Sequence, residues 1–335
     1  MSSFVEDMIR NFVNAIGPFA IGLLICTTAF FSCCRGKVPD NDGIIRLATL
    51  RGPSSVAMIK LIDSLATCKS SDIEVQIFSE PLQMRKSMLE GSVDFAVLPT
   101  TMAALLYNKG VDYRVAAIPL WGSLYLCGTD TSVTELEDLW GCKVYLMAKG
   151  MTPDILFRRL LLKSGLEPYR EVALDYRFPT HSDLANAAMA GRVPMCVLTE
   201  PYLSQVLNAN PDLHILLDLT QLWQSVENHP EPETAFLCKG SLLESDRHSV
   251  SVLTEAYRSS AEWVTAHPDS AAVLCTRYNI NPDTLALMQS IPRTGIRVVD
   301  AADAEQNITD YLTAFLDMSP ESIGGKLPDE GFIVK

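Results

Sequence analysis

The chain has 335 residues, 48% of them apolar and 20% charged, which describes a folded protein with room for two ordinary domains rather than a disordered one. A formal charge of −13 and the lack of any basic stripe in the sequence argue against nucleic-acid binding. The nine cysteines form no CxxC pair, so structural zinc is disfavoured, and several sit in apolar strand-like runs where a thiol behaves as a small buried hydrophobe.

The first predicted element is a targeting segment. Phe12 to Phe31 is an uncharged apolar run preceded by Arg10 and followed by Ser32, the plan of a secretory signal. A cysteine directly after the small residue is the mark of a bacterial lipoprotein, with residues 1–32 removed and Cys33 becoming the acylated first residue. Phe30 stands where the usual lipobox has Leu, and Glu6 and Asp7 lie in the n-region, which leaves an uncleaved anchor or a plain cleaved signal open. Each alternative places the remaining chain outside the cytoplasm.

Residues 33–43 are polar and turn-rich, a tether between anchor and fold. Strand and helix then alternate: strand Ile44–Leu50, turn Arg51–Ser55, helix Val56–Ala66, strand Ile73–Phe78, helix Leu82–Leu89, strand Phe95–Leu98, helix Met102–Tyr107, and strands Val115–Pro119 and Ser123–Cys127. The pattern restarts near Leu136 with strand Lys143–Ala148, helix Ile155–Ser164, strand Val172–Tyr176, helix Ser182–Ala190, strand Met195–Leu198, a helix opened by Thr199-Glu-Pro, and strand His214–Leu217. Such alternation predicts parallel sheets covered by helices on both faces. The two halves share a unit, Glu90-Gly-Ser-Val-Asp-Phe-Ala-Val-Leu and Ala190-Gly-Arg-Val-Pro-Met-Cys-Val-Leu, in which a Gly ends a helix and a short apolar strand follows. After a lone strand, Thr234–Cys238, the text turns helical over Leu242–Ala266, Ser270–Arg277, Pro282–Ser290 and Asp303–Met318. The expected division is residues 44–128 plus 234–335 as a first lobe and 129–233 as a second, with Cys127 and Cys238 on neighbouring crossover strands.

Several of these segments together carry a family resemblance: Arg51-Gly-Pro-Ser-Ser, Glu90-Gly-Ser-Val-Asp-Phe-Ala, Leu136-Glu-Asp-Leu-Trp-Gly-Cys-Lys-Val, Thr199-Glu-Pro and Ile323-Gly-Gly-Lys-Leu-Pro-Asp-Glu-Gly-Phe. Over residues 44–335 the chain resembles the extracytoplasmic solute-binding proteins of ABC importers, in the branch that groups nitrate, taurine and sulfonate binders with thiamine-precursor binders. The resemblance implies an α/β type II periplasmic-binding-protein fold, two doubly wound lobes joined by crossover strands with C-terminal helices on the first. It also implies a small polar solute held between the lobes, ABC permease and ATPase subunits as partners, a monomer held to the membrane by its lipid, and neither catalysis nor a cofactor. Menaquinone-pathway enzymes and thiamine-pyrimidine synthases use similar lobes, but the former lack a secretion signal and the latter carry a cysteine-rich iron motif. A surface sensor remains a further alternative.

Ligands of open α/β sheets bind beyond the carboxyl ends of strands, at helix N-termini. Four hydroxyl-bearing turns qualify, giving Gly52, Pro53, Ser54, Ser55, Thr100, Thr101, Gly150, Met151, Thr152 and Glu200 as candidate ligand-binding residues, with Trp121 as a stacking surface near the crossover. The same hydroxyls serve equally as helix caps. Orphan amides at helix starts favour an anion, and Arg51 or Lys149 suits a sulfonate or carboxylate, whereas Glu200 suits an amine or aminopyrimidine. The balance of these features predicts an anion. His229, His248 and His267 read as solvent-facing, and no pair of carboxylates reads as acid and base.

Overall fold

The computed structural model describes residues 43–68 and 72–335. The signal and tether, Cys33 included, lie outside the described residues. In chain order the elements are β1 (Ile45–Leu50), α1 (Pro53–Ala57), α2 (Ile59–Thr67), β2 (Ile73–Phe78), α3 (Pro81–Leu89), β3 (Phe95–Pro99), α4 (Thr100–Asn108), β4 (Tyr113–Leu120), β5 (Leu124–Gly128), β6 (Lys143–Tyr145), α5 (Thr152–Lys163) and β7 (Ala173–Asp175). Then come α6 (His181–Met189), β8 (Met195–Thr199), α7 (Tyr202–Ala209), β9 (His214–Asp218), α8 (Leu219–Glu227), β10 (Thr234–Lys239), α9 (Gly240–Ser245), α10 (Arg247–Ala266), α11 (Pro268–Arg277), α12 (Thr284–Ser290), β11 (Ile296–Asp300) and α13 (Glu305–Met318).

Two sheets organise these elements. The first has the order β11-β4-β10-β3-β1-β2, and the second β7-β6-β8-β5-β9. Each is mixed: β1 runs parallel to β2 and β3, and β6 parallel to β7 and β8, while β10 and β5 are antiparallel to their neighbours. This arrangement follows from the chain path, because helix crossovers return strands in the same sense whereas β5 and β10 enter directly from the opposite lobe. The apolar strands β3 (Phe-Ala-Val-Leu) and β8 (Met-Cys-Val-Leu) are buried throughout those four residues, as strands covered on both faces should be. One face of the first sheet packs on α1, α2, α10 and α11 through Met58, Phe236, Tyr257 and Cys275.

Three features depart from the sequence reading. The strand Leu124–Gly128 belongs to the second sheet, where it pairs with β8 and β9, so the chain changes lobe at Trp121–Ser123 rather than after residue 128. Gly122, at φ 93°, makes that turn, in a region of backbone space that favours glycine. Cys127 therefore lies opposite Cys196, with Sγ atoms 3.4 Å apart, and Cys238 sits in the other sheet opposite Phe95 and Arg114. The helical text at 242–266 is split at Asp246, whose carboxylate accepts from the Ser249 amide and starts α10. Finally, β11 and α8 are additional elements, β11 forming an edge strand antiparallel to β4. Among the described residues no helix is long and apolar enough to cross a membrane.

Candidate functional site

A cavity of about 410 Å³ lies between the lobes. The first lobe contributes the start of α1 (Gly52, Pro53, Ser54), the start of α3 and Thr101; the second contributes Gly150, Met151 and Thr152 at the start of α5, His181 at the start of α6, and Thr199, Glu200 and Tyr202. Its base is the crossover pair, with Ser123 from one strand connection and Glu231, Glu233 and Thr234 from the other. Two hydroxyls meet between the lobes, Thr101 Oγ1 and Thr152 Oγ1 at 3.0 Å, both on the cavity wall.

Of the residues expected here, Gly52, Pro53, Ser54, Thr101, Gly150, Met151, Thr152 and Glu200 line the cavity. Ser55, Thr100 and Trp121 do not. The Ser55 hydroxyl is turned back on Gly52, accepting from its amide at 3.1 Å and donating to its carbonyl at 3.0 Å. Thr100 donates its hydroxyl to the Pro232 carbonyl at 2.6 Å, pinning α4 to the second crossover. Trp121 donates its indole N–H to the Arg297 carbonyl at 2.7 Å, with the Arg297 guanidinium 4.9 Å from the ring centre. Each of these side chains does structural work at the position where a ligand contact was expected, because short hydroxyls cap helices with the same geometry that would hold a solute.

Four amides of these turns are committed to acceptors within the protein. Gly150 donates its N–H to Asp154 Oδ2 at 2.7 Å, placing an internal carboxylate on the start of α5. That carboxylate is buried and is held also by Arg158 Nε and the Tyr176 hydroxyl. The Gly52 amide is taken by Ser55, the Thr100 amide by the Glu233 carbonyl, and the Glu200 amide by the Ser123 carbonyl. Lys149 lies over the rings of Tyr169 and Tyr176, 5.8 and 5.2 Å from their centres, and does not line the cavity. Arg51 donates to the carbonyls of Asn279 and Ile280.

Glu200 lines the cavity but its charge is spent. Its Oε1 receives Arg293 Nε at 2.6 Å, and its Oε2 receives the amide and hydroxyl of Ser204. His181 packs on Tyr202, with ring centres 5.7 Å apart, and shares a 3.1 Å hydrogen bond between Nδ1 and Thr199 Oγ1. Burial pushes the His181 pKa down to about 4, so the ring is neutral at pH 7. His229, expected at the surface, is instead buried against the edge of Trp223 with Nδ1 on the Pro230 carbonyl.

Two functional candidates escaped the sequence reading, Glu231 and Glu233 in the run His229-Pro-Glu-Pro-Glu-Thr. They sit two residues apart where the chain returns to the first lobe, and both face the cavity. Desolvation, reinforced by Glu233 and Asp218, holds the Glu231 carboxyl well above its ordinary range. Burial raises Glu233 to about 7, opposed by a hydrogen bond from Ser123 Oγ at 3.0 Å. Alternation of acid and proline in an apolar neighbourhood was the signal available. Among the described residues no group of three or more His, Cys, Asp or Glu side chains could hold a metal.

Two α/β lobes joined by crossover strands around a solute-sized cleft define the fold of the periplasmic binding proteins of ABC importers. The chain belongs to the NMT1-like family, whose sequence profile matches residues 67–279. Among solved structures it is similar to an ABC transporter protein from Parabacteroides distasonis, 28% identical with a TM-score of 0.76, over 87% of this chain and 99% of that one. The periplasmic aliphatic sulphonate binding protein SsuA from Escherichia coli follows at 19% identity and TM-score 0.66, covering 87% of this chain and 94% of its own. The periplasmic nitrate-binding protein NrtA from Synechocystis PCC 6803 shares the fold at 16% identity and TM-score 0.59, with 84% of each chain covered. No curated protein matches the sequence.

Proposed function

We propose that this protein is the extracytoplasmic solute-binding component of an ABC importer, held to the membrane by a lipid on Cys33, which captures a small polar solute between its lobes and presents it to a permease driven by an ATPase. The observation that carries this reading is the cavity of about 410 Å³ walled by both lobes, which meet at the Thr101–Thr152 hydroxyl pair. That volume is in the range of small-molecule sites, and a site split between two lobes couples binding to closure. Capture rather than turnover fits the solute-binding proteins that share the fold. Gly52, Pro53, Ser54, Thr101, Gly150, Met151 and Thr152 are the proposed solute-facing residues. The lipid rests on the sequence junction Ser32–Cys33.

Native mass spectrometry of protein purified without denaturation tests the reading. A stoichiometric small molecule should be released on unfolding, and adding it back to the stripped protein should shrink the radius of gyration in solution scattering. A protein that carries no solute and shows neither contraction nor an uptake defect on gene deletion would refute it. Cys33→Ala should leave an unprocessed precursor without lipid label.

A further inference from the structure

The second sheet holds a pair of sulfur atoms that take no part in the cleft. Cys127 on β5 and Cys196 on β8 are direct partners across an antiparallel strand pair, with Sγ atoms 3.4 Å apart and both side chains fully buried. Residues facing each other in such a pair have Cα atoms about 4.5–5.5 Å apart, inside the span of about 4.4–6.8 Å that a disulfide bridges without backbone movement. The equivalent place in the first sheet is built differently. There the helix–Gly–strand unit has Ala96 where the second unit has Cys196, and Leu237 on β10 stands opposite it. Alanine against leucine fills that layer with ordinary apolar atoms, whereas the second sheet carries a cysteine on each side. The remaining described cysteines are dispersed: Cys68 ends α2, Cys142 precedes β6, Cys238 lies on β10 and Cys275 on α11.

We propose that Cys127 and Cys196 form a disulfide in the folded protein, a covalent tie between the strand that enters the second lobe and the strand that leads to Thr199 and Glu200 on the cavity wall. This rests on the extracytoplasmic location in the reading above, since disulfides form and persist in oxidising compartments. The oxidant is itself a disulfide, on an exchange protein or a small molecule. One cysteine thiolate attacks a sulfur of that disulfide, breaks its S–S bond and forms a mixed disulfide. The other thiolate then attacks the cysteine sulfur of the mixed disulfide and displaces the oxidant. The protein gives up two protons and two electrons, and the oxidant leaves as two thiols. Neither sulfur is exposed once the sheet is complete, so the exchange takes place as β5 and β8 come together, and the product is then shielded. The bridge joins positions 69 apart in sequence, a long loop whose closure restricts the unfolded chain strongly.

The test uses the full chain, residues 1–335, produced in bacteria with its N-terminal segment intact. Envelope and cytoplasmic fractions are quenched with N-ethylmaleimide in denaturant, without reductant, and digested with trypsin and a glutamate-specific protease. The digest separates the relevant cysteines: Val115–Glu135 holds Cys127 without Cys142, and Val193–Glu200 holds Cys196 without Cys238. Mass spectrometry of the envelope protein should find these two peptides joined and free of maleimide. Dithiothreitol should raise the unfolding constant of the wild type in urea by about thirty- to several-hundredfold, the usual effect of losing a disulfide, and leave Cys127→Ala/Cys196→Ala unmoved. Maleimide on both peptides from envelope protein overturns the disulfide while leaving location and solute capture intact. Either peptide joined to a different cysteine overturns the pairing. Recovery in the cytoplasm with both thiols free overturns the extracytoplasmic location as well as the bridge. A wild-type unfolding constant that reduction leaves unchanged overturns the bridge as a brace of the sheet.

Discussion

The Glu200–Arg293 pair offers a test in which charge burial, rather than contact number, sets the outcome. Glu200 comes from the second lobe and is fully buried; Arg293 comes from the segment between α12 and β11 and its side chain is 31% exposed. Arg293 Nε donates to Glu200 Oε1 at 2.6 Å and Nη2 donates to Ser204 Oγ at 2.7 Å, while the Ser204 hydroxyl donates to Glu200 Oε2 at 2.7 Å. Arg293→Met leaves a carboxylate in the interior with only the Ser204 donors, and stranding one member of a buried pair costs about 3–5 kcal/mol. Glu200→Gln instead leaves the cation, which reaches water, and its amide oxygen still accepts from Ser204. The expected cost is that of one hydrogen bond to a charged group, about 1.5–3 kcal/mol, at the low end because of that exposure. The double variant Glu200→Gln/Arg293→Met strands no charge and should be more stable than Arg293→Met alone. Urea denaturation of the four proteins, read as a double-mutant cycle, gives the coupling directly. Equal losses for the two single variants, or strict additivity in the double, would refute the argument from the stranded carboxylate.

Three further outcomes are expected. Glu233 has its carboxyl raised from 4.5 to about 7, so its protonated form contributes stability that is complete below the unfolded value near 4.5 and is lost as pH rises through about 7. The solute-free protein should therefore weaken between those limits, by at most about 3 kcal/mol, and Glu233→Gln should flatten that slope in urea titrations at pH 5 and pH 8; an unchanged slope would contradict the assignment. Thr152→Val deletes the 3.0 Å bridge to Thr101 and should weaken solute binding in calorimetry by about two- to tenfold, the worth of about 0.5–1.5 kcal/mol, with little change in the melting of the empty protein. Gly122→Ala places a Cβ 2.3 Å from Thr220 Cγ2 at a φ of 93°, and should lower stability by about 1–3 kcal/mol or more, measurable as a reduced denaturation midpoint.

How far the site could be read from the sequence depended on whether a residue's role is set locally. The helix–Gly–strand units ending in β3 and β8 were legible because a left-handed glycine and a run of apolar residues declare themselves within ten positions. Gly91 and Gly191 both adopt positive φ, at 67° and 69°. The starts of α1 and α5 were legible as cleft walls for the same reason. What their hydroxyls do was not, since Ser54 lines the cleft while Ser55, next to it, closes a turn on Gly52. The edge strand β11 was hidden in helical text because its partner β4 lies well over a hundred residues away and only pairing makes Ile296–Asp300 a strand.

The charge of the cleft was the least legible quantity, because it depends on which groups the fold pairs, near or far in sequence. Glu200 looked like a recognition residue until Arg293, 93 positions later, neutralised it. Gly150 looked like an anion cradle until Asp154, four positions on, filled it. Glu231 and Glu233 drew no notice in the sequence, yet the return of the chain to the first lobe places both on the cavity wall. Each reversal has one cause. A carboxylate's effect on a ligand is what remains after the fold has paired it, and pairing is a property of the tertiary structure. Fold, which follows local periodicity, is therefore shared by chains with less than a fifth of their residues in common, while the charge of the cleft depends on how each of its acids is paired.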